Sequence, residues 1–125
     1  MNLIIIRYIT SITLLFISGI SKAICDTSAI NGKADKLSKL DIFWWRKSIS
    51  SNNKYKNRDK AQGEAFLGST TIFVIFTDAW HLFDFVRDLS LAIAMIFIPD
   101  WWWVFVVFLI KQTIFEGLFR YLRKV

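Results

Sequence analysis

The chain has 125 residues, 54% of them hydrophobic and 21% charged, with a formal net charge of +6. Its apolar residues lie in long blocks and not in periodic stripes, which argues against a water-soluble core and for an all-α membrane protein. Cys25 is the single cysteine, so an intrachain disulfide and a cysteine-based metal site are both excluded.

Three apolar blocks cover residues 3–20, 66–98 and 101–119. Each is near or above the roughly 20 residues that a helix needs to cross about 30 Å of hydrocarbon. The chain therefore divides into an N-terminal apolar span at 1–23, a basic polar segment at 24–65 and a transmembrane helical hairpin with a basic tail at 66–125. Lysines and arginines flank these blocks, so the expected partners are the bilayer and its anionic headgroups, and nucleic acid is disfavoured.

The first block supports two readings. It ends at Ser21-Lys22-Ala23, whose small residues at the two inspected positions suit a cleaved signal peptide. Against cleavage, Arg7 interrupts the run, no basic residue precedes it, and the run is long for a signal. Export would also carry Lys33, Lys36, Lys39, Arg46, Lys47, Lys54, Lys56, Arg58 and Lys60 outside, contrary to the positive-inside rule. A retained signal anchor with an external N-terminus keeps this basic loop and the tail Arg120, Arg123 and Lys124 in the cytoplasm, and is the favoured arrangement.

In the basic segment, residues 33–48 place Ala34, Leu37, Leu40 and Trp44 on one helical face, which predicts a short amphipathic helix. Trp44 and Trp45, followed by Arg46 and Lys47, suit anchors in the headgroup layer; the alternative is a solvated helix whose aromatics pack on the hairpin. Residues 50–63 have no aliphatic block and read as a loop.

The hairpin is expected to start at Gly68-Ser69-Thr70-Thr71, to turn at Pro99-Asp100 and to return through Trp101, Trp102 and Trp103 as interfacial anchors. Its outgoing helix carries Asp78, His81, Asp84, Arg87 and Asp88, and the returning helix carries Glu116. At 100° per residue the acidic residues and His81 share one stripe. A charge near the bilayer centre costs about 2.5 to 3.5 kcal/mol on insertion scales, so Arg87 and Asp88 need partners, and an ion pair between Glu116 and Arg87 or His81 is the simplest. Alternatives are a polar path for ions, or a divalent-metal site from Asp78, His81, Asp84 and Glu116.

From Trp44 onward the strings WWRKS, NKYKN, STTIFVIFTDAWHLFDF and FEGLF resemble a group of short uncharacterised membrane proteins of bacteria and their phages. The most specific piece is Thr77-Asp78-Ala79-Trp80-His81 after Ser69-Thr70-Thr71. The resemblance covers about two thirds of the chain and implies architecture, with no activity attached; the expected location is the bacterial cytoplasmic membrane, as a multi-pass protein. Phosphate-binding loops, zinc-protease helices and serine elbows are absent from the sequence, and no cofactor is expected. The expected role is non-enzymatic assembly in the bilayer, as a homo-oligomer or with a partner. The alternatives are a holin-like or ion-conducting pore, and a metal-dependent membrane enzyme.

Overall fold

The computed structural model describes residues 2–29, 36–98 and 100–123. Among them the chain is helical: α1 (Leu3–Ala29), the single turns α2 (Ile42–Trp45) and α3 (Lys47–Ser50), α4 (Ala79–Ile96) and α5 (Trp103–Arg123). Short 3₁₀ turns at Leu37–Lys39, Lys56–Arg58, Lys60–Gln62 and Ile72–Phe76 join them. The described residues contain no strand, only one antiparallel bridge between Tyr55 and Glu64 that closes the basic loop.

The architecture follows from α1, which packs on both α4 and α5 while those two barely touch. It runs antiparallel to α4, since Arg7 reaches the carbonyl of Ile98 and the Cys25 thiol meets the carbonyl of Trp80. It runs parallel to α5, since Ser11 accepts from the Trp103 indole at 2.9 Å and Gly19 lies against Lys111 and Ile114. The hairpin expected from sequence is therefore not a close-packed pair: α1 occupies the space between its arms. Leu15, Ala94 and Val107, one from each helix, form the common core.

The side chains that α1 buries are small or polar: Ser11, Ser18, Gly19, Ser21, Ala23, Cys25, Thr27 and Ser28, with Leu15 the one large exception. Its large apolar residues Leu3, Ile4, Ile5, Ile9, Phe16, Ile17 and Ile20 face outward. Small residues let helix backbones approach closely, and Ser and Thr return their hydroxyls to their own helix, as Thr27 does to Ala23. α1 is also the one helix among the described residues that is long and apolar enough to cross a membrane. α4 carries Asp84, Arg87 and Asp88, and α5 carries Lys111, Glu116 and Arg120, so neither is as apolar.

Two local expectations are corrected. Residues 66–78 do not extend α4, because Gly68 turns the chain at φ +76° and the Glu64 carboxylate takes the amides of Gly68 and Thr70. The helix begins ten residues later, where Asp78 Oδ1 accepts the amide of His81 at 2.9 Å as an N-cap. The amphipathic helix expected at 33–48 is broken among its described residues. Leu40 is extended and Asp41 restarts the chain by capping Phe43, so α2 lasts one turn. Residues 33–35 of that expectation, and Pro99 of the expected turn, lie outside the described residues.

Candidate functional site

Three polar groups stand on this frame. The first surrounds the start of α4. Asp78 is fully buried, and besides capping the helix its Oδ2 lies 2.7 Å from Nδ1 of His81. The Thr77 hydroxyl donates to Val74 and lies 3.3 Å from Asp78, while the Asn53 amide donates to the carbonyl of Thr77. The basic segment closes over this corner: Lys47 Nζ sits 3.2 Å from the centre of the Trp80 ring, and Trp45 stacks on Phe83 at 5.9 Å. A buried carboxylate so fully hydrogen-bonded orients the helix start and the imidazole together. No hydroxyl or thiol is hydrogen-bonded to His81 among the described residues.

The second group lies one to two turns deeper. Arg87 bridges Asp84 at 2.7 Å and Asp88 at 2.8 Å on its own helix, and Lys22 pairs with Asp26 on α1 at 2.9 Å. Lys111 of α5 feels the charges of Arg87, Lys22 and Asp88. These three cations and three carboxylates balance, so the level is polar without net charge. The third group is on α5, where Glu116 pairs with Arg120 at 2.6 Å.

The six residues expected to form one intramembrane cluster are thus divided: Asp78 with His81, Asp84 and Asp88 with Arg87, and Glu116 apart. The expected Glu116 contact with Arg87 or His81 is not made, because α1 holds α5 away from α4. The four-residue metal site does not form either: Glu116 stands apart on α5, Asp84 is paired with Arg87, and no group of three His, Cys, Asp or Glu able to hold a metal occurs among the described residues.

No family model, curated protein or solved structure matches this chain. What it does has to follow from its own geometry.

The expected tryptophan anchors divide as well. Trp101 and Trp102 are exposed, whereas Trp103 turns inward onto Ser11 and meets Tyr8 edge-on at 4.7 Å. Trp45 packs on α4, and Trp44 lines an open groove of about 420 Å³ with Asp41, Phe43, Tyr55 and Arg58. Sequence reasoning missed the latch at the other end of the bundle, in which Tyr8 donates to Asp100 at 2.8 Å and Arg7 to Ile98. The signal was present: Arg7 inside an apolar block asks for a partner.

In the basic loop, hydrogen bonds from the Thr70 hydroxyl and the Gly68 amide hold the Glu64 carboxyl below its ordinary range. The Ala61 amide and the Gln62 side chain do the same for Asp59. Both carboxylates fasten loop backbone.

Proposed function

We propose that the chain is an integral membrane protein that keeps α1 as the central helix of a three-helix unit and acts by assembly in the bilayer, without catalysis. The observation that carries this is the inverted distribution of side chains. α1 buries serines, glycine and alanine and turns isoleucine, leucine and phenylalanine outward. α5 likewise exposes Phe105, Phe108 and Leu109, and α4 exposes Phe85, Leu89, Met95 and Ile96. In water that surface would drive aggregation, since each large side chain left exposed forgoes about 1.5 to 3 kcal/mol of burial. In lipid it is the solvent-matched surface, and small residues inside are what close helix packing needs.

The distribution of charge supports one placement of the three-helix unit in the membrane. The C-terminal ends of α1 and α5 and the N-terminal end of α4 lie together, as the bond from the Lys36 amide to the Leu122 carbonyl and the Cys25 contact with Trp80 require. Lys36, Lys39, Arg46, Lys47, Lys54, Lys56, Arg58, Lys60, Arg120 and Arg123 therefore belong to one end of the unit. By the positive-inside rule that end is cytoplasmic, with the N-terminus and residue 100 outside. The arrangement favours retention of residues 1–23, since a chain cut before Ile24 loses Ser11, Leu15, Ser18 and Gly19 from between α4 and α5.

Reporters fused after residues 30, 62 and 125, with alkaline extraction of the membranes, test this. The expected result is a protein that resists extraction and cytoplasmic reporters after 62 and 125. A mature N-terminus at Ile24, or an active external reporter after 62, would overturn it. A conducting pore has one observation in its favour, the polar level of Lys22, Asp26, Asp84, Arg87, Asp88 and Lys111. It predicts ion leakage and growth arrest on expression, which a purely assembling protein does not cause.

A further inference from the structure

The face of α5 turned away from α1 changes character along its length. Its first half presents the apolar Phe105, Phe108 and Leu109, the last of them one helical turn from Gln112 and Thr113 on the same face. Its second half presents Gln112, Thr113, Glu116, Gly117 and Arg120, which together line a shallow groove. Among the described residues nothing from another element pairs with this polar stretch. Glu116 answers only Arg120, itself 73% exposed, and a Cβ at Gly117 would meet nothing within 4 Å. Counted from Trp103 at about 1.5 Å per residue, Gln112 and Thr113 lie about 14 Å along a helix of about 31 Å. In a bilayer they stand near the middle of the hydrocarbon, where exposed polar side chains call for a protein partner.

We propose that this half of α5 is a homodimer interface: a second copy of the chain, in the same membrane orientation, lays its own α5 against it about a two-fold axis along the membrane normal. The proposal rests on the bilayer placement above and names the partner in the assembly. Its argument is self-complementarity. At 100° per residue the midline of the exposed face runs close to Leu109 and Glu116. Gln112 and Glu116 fall on one side of it, and Thr113 and Arg120 on the other.

Two parallel helices related by a two-fold axis set the left flank of one against the right flank of the other. Each Gln112 then faces Thr113 of the second copy at nearly the same depth, amide to hydroxyl. Each Glu116 faces Arg120 of the second copy one turn on, so the hydrogen bond and the ion pair each form twice. A foreign helix would have to supply this pattern independently, whereas a second copy brings it by symmetry. Thr113 and Gly117, four apart, add the small-residue spacing that lets two backbones approach.

The test uses the full chain in native membranes with Cys25 replaced by serine, so that each added cysteine is the only one. Leu109→Cys places a thiol near the proposed midline, and Ile9→Cys places one on the lipid-facing side of α1 as a control. On oxidation Leu109→Cys is expected to give several-fold more disulfide-linked dimer than Ile9→Cys. In the Leu109→Cys chain, Glu116→Arg or Arg120→Glu alone should reduce the dimer to the control level, and the two together should restore it.

Equal cross-linking at the two positions, single charge reversals without effect, or a product of mass other than twice the chain would each overturn the interface while leaving membrane insertion intact. A protein recovered in the soluble fraction would overturn the bilayer placement and the interface with it.

Discussion

At Gly19 α1 lies close against α5. A Cβ built there would lie 3.1 Å from the carbonyl oxygen of Lys111 and 3.2 Å from Cγ2 of Ile114. The neighbours are backbone and a β-branched side chain, neither of which yields easily, so Gly19→Val should destabilise the unit by about 1 to 3 kcal/mol, the usual cost of overpacking. Ser18, one residue away, makes the opposite prediction. Its hydroxyl is buried with no hydrogen-bond partner among the described residues, so Ser18→Ala should be neutral or stabilising by up to about 1 kcal/mol. Thermal unfolding in mild detergent measures both; a loss at Ser18→Ala would mean that the hydroxyl has a partner after all.

Glu64 gives a pH dependence at the same scale. Its carboxyl is held below its ordinary value of 4.5, so the loop bonds to Gly68 and Thr70 are fully stabilising above that value and are lost as pH falls through the lowered one. The protection factors of the Gly68 and Thr70 amides, taken against the intrinsic exchange rate at each pH, should fall on acidification, and Glu64→Gln should make them nearly independent of pH in that range.

At the scale of elements, the start of α4 separates what could be read in the sequence from what could not. The string Gly68-Ser69-Thr70-Thr71 looks like a helix start, and Thr77-Asp78 looks like an interruption. Both are potential caps, and local pattern does not rank them. Tertiary contacts do: Asn53 takes the carbonyl of Thr77, and the buried Asp78 holds both the amide and the ring of His81. Gly68 is meanwhile committed to a left-handed turn.

Asp78→Ala should therefore cost more than the roughly 1 kcal/mol of an exposed cap, since it strands a half-buried imidazole as well. Asp78→Asn, which keeps an acceptor, should recover part of the loss in the same unfolding measurement. The amphipathic pattern of 33–48 misled for a related reason. Periodicity registers which face is apolar, but Asp41 can accept the amide of Phe43 two residues on and break the rod.

For the whole molecule, the helical class and the three apolar blocks follow from composition and block length. The order of packing does not. Hydropathy treats α1 as a uniform apolar run, and the informative residues are the small ones it averages away, Ser11, Gly19, Ala23 and Thr27 at multiples of four. With α1 between α4 and α5, the charges expected to meet across a hairpin find partners on their own helices, and the polar half of α5 is left facing outward. The candidate site was therefore legible as a set of residues and not as a set of contacts.

The central claim is that α1 stays in the mature protein and lies between α4 and α5 in the membrane. Gly19 and Ile114 test it most directly, because a Cβ at Gly19 would stand 3.3 Å from the Cβ of Ile114, close to disulfide geometry. The measurement is the intact mass of Gly19→Cys/Ile114→Cys, with Cys25 replaced by serine, extracted from oxidised membranes after thiol blocking. The prediction is a chain that begins at its own N-terminus, carries no blocking group and takes up two only after reduction. A chain that begins at Ile24, or one that keeps residues 1–23 with both thiols blocked before reduction, would contradict it.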